Sequence, residues 1–228
     1  CAGSIMLGKI APHQEKIILQ LLDGYQKNEC YEILHVGFGD PENPALDVKG
    51  WSTEIHRLQR APIINIRGEE STRLVRKFNV IYSDIFYKDE DIIRYTGQYQ
   101  TKLRSLEWFA DSNFEDDLSG KQSYAKIDVM STNLPSDSFD VIIAVGLFTK
   151  YIPSIWNCLE DVLCELVRIM NNQGQILLTL HSDYLDEFST RTRSSGLSIA
   201  VIDSSEDTVP EANRTGHRML LRITNCTK

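Results

Sequence analysis

The stretch from Phe139 to Leu180 constrains this chain more than any other part of it. "FDVIIAVGL" and "QILLTL" are nearly uninterrupted apolar runs, and between them "SIWNCLEDVLCELVRIM" places Leu159, Leu163, Leu166 and Met170 at helical spacing. A strand that is apolar on both faces has to be covered on both faces, as in a parallel sheet flanked by helices. The pattern predicts a buried strand, then a helix capped by Ser154 and ended by Asn171-Asn172-Gln173-Gly174, then a second buried strand.

The alternation extends towards the N-terminus. Ile17, Ile18, Leu21, Leu22 and Tyr25 predict an amphipathic helix starting near Pro12. "YEILHVGF" follows as a buried strand, with His35 read as a satisfied core histidine. "GWSTEIHRLQR" is expected to be helical, "APIINI" a short buried strand, "STRLVRKF" a helix and "NVIYSDIF" a strand. Ile92, Tyr95, Tyr99, Leu103 and Leu106 then predict a helix, and "DSNFEDDLSGKQ" an acidic irregular loop. "YAKIDVM" is a strand, "STNLPSD" a turn, and the tail closes with the strand pair "LSIAVID" and "HRMLLRIT".

A length of 228 residues suits one α/β domain. The expectation is a vector-derived Cys1-Ala-Gly-Ser, then a single domain over 5–228 with an insertion somewhere within 44–123. A net charge of −8 argues against a broad phosphate-binding face. The 5 cysteines include no C-x-x-C pair, so neither a zinc site nor a disulfide framework is expected, and a cytoplasmic location fits. Asn213-Arg-Thr and Asn225-Cys-Thr read as chance glycosylation triplets. No run approaches the ~20 apolar residues of a membrane span.

In an open parallel sheet ligands bind beyond the carboxyl ends of the strands. The residues expected there are Gly37 and Gly39, Asp84, Asp128, Ala144 to Gly146, and His181. The glycines do not complete a dinucleotide fingerprint, because Gly39 is followed by Asp40, Pro41 and Glu42 where a pyrophosphate would lie. Two carboxylates and a proline suit a cofactor that carries positive charge and no phosphate.

The stretch "IDVMSTNLPSDSFDVIIAVGLFTKYIPSIWNCLEDVLCELVRIMNNQGQILLTL" resembles the central block of the class I S-adenosylmethionine-dependent methyltransferases. The matching features are Asp128, Leu134-Pro135, Ser138-Phe139-Asp140, Arg168-Ile169-Met170 and Gly174. With "ILHVGFG" as the glycine motif, the resemblance covers most of residues 33–180. It implies a doubly wound, mostly parallel seven-stranded sheet with an antiparallel closing strand. It further implies S-adenosylmethionine as cofactor and methyl transfer to an unidentified acceptor. Gly37, Phe38 and Gly39 would pass beneath the methionine and ribose portions, Asp128 would bind the adenine amino group with Val129 beside it, and Ala144 to Gly146 would lie near the reactive methyl.

The ribose acid has two threadings. It is Asp84 if "NVIYSD" is the second strand, and Glu69 or Glu70 if "APIINI" is; an acid directly at a strand end favours Asp84. Asp40-Pro41 departs from the motif and removes an N–H donor. That departure keeps open a non-catalytic methyltransferase-like domain that binds a protein or RNA partner. The basic segment from Arg57 to Lys77 carries interspersed Glu54, Glu69 and Glu70, and reads as an ordinary salt-bridged surface. His181 is either a base for an acceptor that must lose a proton or a hydrogen-bonding group. Lys150, Tyr151 and Trp156 either line an acceptor pocket or pack locally.

Overall fold

A computed structural model of the chain describes residues 12–27, 29–39, 54–55, 57–64, 66–94, 122–204 and 217–226. Helix α1 (Pro12–Asp23) precedes strand β1 (Cys30–Val36). A hairpin of β2 (Arg60–Ile64) and β3 (Glu70–Leu74) leads to β4 (Lys77–Ser83), followed by β5 (Gln122–Ala125) and β6 (Phe139–Ala144). Helices α2 (Pro153–Asn157) and α3 (Leu159–Ile169), strand β7 (Met170–His181), helix α4 (Leu185–Thr192) and strands β8 (Leu197–Asp203) and β9 (Arg218–Asn225) complete the order.

Seven strands form one sheet in the order β5-β4-β1-β6-β7-β9-β8. The strands from β5 to β7 pair in parallel, whereas β9 runs antiparallel to both neighbours. The doubly wound sheet and its antiparallel closing strand are as expected. The chain enters at β1 and builds outwards on both sides, so strand order reverses between β1 and β6, where an open sheet leaves a crevice at its carboxyl edge.

Helix α3 lays Leu159, Val162, Leu163, Leu166 and Ile169 on one face of the sheet, against Leu34, Ile142, Ile176 and Leu178. Helix α1 lays Ile18 and Leu22 on the other, against Ile33, Phe78, Val141 and Leu177.

Several local expectations are corrected. "APIINI" is no buried strand of the main sheet: Ala61 to Ile64 belong to β2, which among the described residues pairs with β3 alone, and Ile64 and Ile66 are exposed. "STRLVRKF" is not helical; it forms β3 and opens β4, because the turn at 66–69 folds it back onto β2. Helical turns at 54–55 and 57–58 are the described part of the helix expected after Gly50, and residues 89–94 are the described start of the next. The remainder of that helix and the acidic loop lie outside the described residues, as do Asp40, Pro41 and the link between β8 and β9.

The helix expected from Ser154 is two helices joined at Cys158, and it starts at Pro153 with Ile152 as N-cap, without a side-chain cap. Asn171 to Gly174 do not form a terminating turn, since the backbone becomes extended at Met170 (φ −76, ψ 137) and β7 runs straight on. Gly174 permits this: a Cβ there would stand 2.6 Å from Met170 Cγ and 3.0 Å from the Phe139 carbonyl, beside the register shift between Phe139 and Val141.

Side chains of the central block tie it together. The Glu165 carboxylate accepts from the Thr132 N–H (2.9 Å) and hydroxyl (2.6 Å) and from Arg168 Nε (2.7 Å), while Arg168 Nη2 donates to the Leu134 carbonyl (2.9 Å). The Leu-Pro turn is thereby fastened to α3, and Arg168 and Thr132 hold the Glu165 carboxyl down to about 2. Asp140 accepts from the Glu32 N–H at 2.7 Å and from the Asn171 side chain, joining β6 to both its neighbours.

Candidate cofactor site at the carboxyl edge of the sheet

Strand β1 leads directly into Gly37 and Gly39, at φ 63 and 81 with Phe38 between them. At Gly39 the left-handed backbone strains any L side chain, and an added Cβ would meet no heavy atom within 4 Å among the described residues. Among the described residues, nothing therefore covers the backbone on that side of the turn. Phe38 points the other way: it is fully buried, with its ring 4.7 Å from both His35 and Tyr82. Only its backbone is available to the edge, and its N–H donates to the Ser83 carbonyl at 3.0 Å.

Asp84 follows β4 directly and is nearly buried. One carboxylate oxygen accepts the Gly39 N–H at 2.9 Å and the other the Phe86 N–H at 3.0 Å. The Tyr87 hydroxyl donates to the Gly39 carbonyl at 2.8 Å. Of the candidate ribose acids, Asp84 directly follows the strand beside β1, whereas Glu69 lies in the turn of the separate hairpin. Glu70 begins β3 of that hairpin.

Asp128 does not end its strand. Strand β5 stops at Ala125, because it pairs with β4 only from Gln122 to Ala125, and Asp128 sits three residues later in the turn. It is exposed, and one oxygen accepts the Met130 N–H at 2.9 Å, an Asx-turn of the kind aspartate favours. Val129 beside it is buried. Ala144 closes β6, and Gly146 (φ 70) donates its N–H to the Thr179 hydroxyl at 2.8 Å. Adjacent strands thus bring Asp128, Asp84, the Gly37–Gly39 turn and Ala144 to Gly146 side by side, in that order, along one edge.

His35 is core, as expected, but not satisfied. It is fully buried, neither ring nitrogen has a hydrogen-bond partner among the described residues, and burial pushes its pKa down to about 3. His181 is the last residue of β7, and its Nδ1 accepts the Asp183 N–H at 3.3 Å. The same Nδ1 stands 3.5 Å from Asp183 Oδ2, and Nε2 is buried with no hydrogen-bond partner among the described residues. Lys150 is 2.7 Å from Glu187 and lies over the Trp156 and Tyr184 rings, which commits it to local packing. Among the described residues no cluster of His, Cys, Asp or Glu could hold a metal ion, and no helix is long and apolar enough to cross a membrane.

No sequence family matches the chain, and no curated protein does. Solved structures do. The CurJ carbon methyltransferase superposes with a TM-score of 0.51 at 13% identity, over 93% of this chain but only 53% of that one. A TehB-like SAM-dependent methyltransferase from Corynebacterium glutamicum gives 0.53 at 12% identity, over 93% and 87%. The 1,6-didemethyltoxoflavin-N1-methyltransferase of Burkholderia thailandensis, solved with 1,6-didemethyltoxoflavin and S-adenosylhomocysteine bound, gives 0.52 at 11% identity, over 99% and 80%. The fold is that of the class I methyltransferases.

Within this methyltransferase fold two features of the edge have no signature in the sequence. Tyr87 reaches a glycine 48 positions earlier. Thr179 shows only as one polar residue in an apolar strand, yet it holds the Gly146 turn. Both depend on which strands are neighbours, and no short-range pattern encodes that.

Proposed function

We propose that the chain binds S-adenosylmethionine at this edge and transfers its methyl group to an acceptor. The observation that carries the reading is the row of Asp128, Asp84, the Gly37–Gly39 turn and Ala144 to Gly146 at and beyond the carboxyl ends of the adjacent strands β5, β4, β1 and β6. When bound, the cofactor supplies a methyl group activated on a sulfonium. The residues present fit it. Each Asp84 oxygen spends one lone pair on a backbone N–H and keeps another for a ribose hydroxyl. Asp128 keeps its second oxygen for the adenine amino group, with Val129 alongside. Backbone of Gly37 to Gly39 underlies the methionine and ribose portions, and Ala144 to Gly146 border the reacting carbon. Carboxylates along this edge suit a cation and repel a pyrophosphate. The residues along the edge supply position and electrostatic setting, which is what an in-line displacement at a sulfonium asks of a protein.

A second reading has one observation in its favour. Both Asp84 oxygens already accept backbone N–H groups, so this acid closes its own turn without any ligand, as a non-catalytic, partner-binding domain of the same fold would need. Thermal melts separate the two. S-Adenosylhomocysteine at a hundredfold excess over its dissociation constant is expected to stabilise the protein by about 2.7 kcal/mol, and NAD at the same concentration by nothing measurable. A folded protein that shifts with neither ligand supports the second reading; a shift with NAD alone overturns both.

A further inference from the structure

Gly39 stands at φ 81, in the left-handed region that glycine occupies without strain, and both peptide planes that flank it are held from one segment. The Gly39 N–H belongs to the plane shared with Phe38 and donates to Asp84 Oδ2 at 2.9 Å. Its carbonyl belongs to the plane shared with residue 40 and accepts from the Tyr87 hydroxyl at 2.8 Å. The two dihedral angles of the glycine are therefore both held from the segment 84–87, φ through Asp84 and ψ through Tyr87, so that release of one contact loosens the other. Tyr87 is itself buried, and its ring lies 5.9 Å from that of Tyr124, which neighbours Tyr82 and through it Phe38. Its hydroxyl is thus held by packing on the far side of the loop. Phe86 between them is exposed and the Tyr87 N–H contacts the Asp84 carbonyl at 3.5 Å, so the segment 84–87 turns tightly enough to present an acceptor and a donor to one residue.

We propose that Tyr87 is a positioning residue for the cofactor turn. The inference rests on the reading above, that this edge binds S-adenosylmethionine. Without the hydroxyl, the peptide plane after Gly39 can rotate, and a glycine at positive φ meets almost no steric resistance to such rotation. A rotated plane swings its carbonyl dipole towards the strip that the cofactor occupies and loosens the N–H that orients Asp84. Tyr87 removes those conformers before a ligand arrives, so the ordering cost of the loop is met by folding and not by binding. Its contribution is to affinity, with no part in the methyl-transfer step.

The test uses the whole chain and the variants Y87F and L166A. Hydrogen exchange of the Gly39 amide in the ligand-free protein reads the clasp directly, and should quicken by about tenfold or more in Y87F, since the loss of one hydrogen bond lets the turn open. S-Adenosylhomocysteine titrated calorimetrically should bind Y87F about five- to tenfold more weakly than the parent. L166A removes a leucine from the far face of the sheet, loses more thermal stability than Y87F, and should bind S-adenosylhomocysteine as the parent does. Y87F binding within twofold of the parent overturns the inference alone. A parent that binds no S-adenosylhomocysteine overturns the cofactor reading and the inference with it, even if the exchange result stands. Equal weakening in L166A and Y87F also overturns the inference, because general destabilisation would then account for the loss.

Discussion

The two faces of the sheet are built on different terms. Directly under α3, Leu34, Val36, Ile142, Ala144, Ile176 and Leu178 meet Leu159, Val162, Leu163 and Leu166, an aliphatic patch within a cluster whose rings, Phe139, Phe148, Trp156, Tyr184 and Phe188, come from β6, α2, α4 and the segments beside them. On the α1 side, β1, β4 and β5 present Ile33, Phe78, Val80, Tyr82 and Tyr124, together with the ring of Phe38 and with His35 among them. Polar groups are built into this second face. The Tyr82 hydroxyl donates to Gln122 Oε1 and the Phe78 N–H to Gln59 Oε1, each at 2.7 Å. Arg76, nearly buried, gives its guanidinium to the carbonyls of Leu58, Asp23 and Tyr25 and to the Asp23 carboxylate. An aliphatic face tolerates any filling of the right volume, whereas rings and buried hydrogen bonds admit few arrangements. The glycine turn grows from the second face, through Phe38, and inherits its rigidity.

The largest break in that comparison is expected at Arg76. Arg76→Met removes the donor from three carbonyls at once and leaves the exposed Asp23 carboxylate to solvent, and should cost about 3 kcal/mol in urea unfolding at pH 7, at about 1–3 kcal/mol per polar group left unpaired. Leu166→Met on the aliphatic face keeps volume and polarity, and should cost under about 1.5 kcal/mol. Comparable losses in the two variants would mean that the α1 face is not specified by its polar contacts.

His35 separates the faces by pH. Its folded-state pKa is lowered to about 3 by burial, against about 6.5 in an unfolded chain. The unfolded state therefore takes up a proton that the folded state refuses. The stability tied to a neutral His35 is complete above pH ~6.5 and falls as pH drops towards ~3, by about 1.4 kcal/mol per unit, or about 2 kcal/mol at pH 5. His35→Phe fills the site between Phe38 and Tyr82 without a titrating group, so its stability from pH 7 to pH 5 should decline about 2 kcal/mol less than the parent's. Parallel acid limbs would show that the imidazole is hydrated or paired.

The same contrast decides what could be read in the sequence. Strands β6 and β7 and helix α3 are legible because their burial is periodic: the residues expected on one helix face, Leu159, Leu163, Leu166 and Met170, are all buried. The hairpin was not legible. "APIINI" has the apolar content of a buried strand, and Leu74, Val75 and Phe78 have spacing compatible with a helix, yet the pairing of β2 with β3 overrides both. At the edge, Gly37, Gly39 and Asp84 could be placed from strand ends alone, since a strand's end is a local property. Asp128 was misplaced within its strand because β5 is only as long as its pairing with β4. Tyr87 and the unsatisfied state of His35 are consequences of tertiary packing, which a one-dimensional pattern does not carry.

The smallest expected effect lies on the aliphatic side, at the pair that fastens the Leu-Pro turn to α3. Glu165 is held down to about 2, first by the Arg168 guanidinium and then by the Thr132 hydroxyl and N–H. An unfolded glutamate titrates near 4.3, so the stability from this carboxylate is complete above about pH 4.3 and is lost as pH falls to about 2, the reverse of a group whose pKa is raised. Glu165→Gln keeps an oxygen for Thr132 and loses the charge. At pH 7 it should cost no more than about 1 kcal/mol, because Arg168 is exposed and solvent screens the pair. Below pH 4.3 the parent loses this contribution too, and the two should converge near pH 2. Urea melts of both in the His35→Phe background, where the steeper histidine limb is removed, isolate the difference. A gap that widens on acidification would mean that Glu165 is held through its protonated form and that the turn is fastened by Thr132 rather than by Arg168.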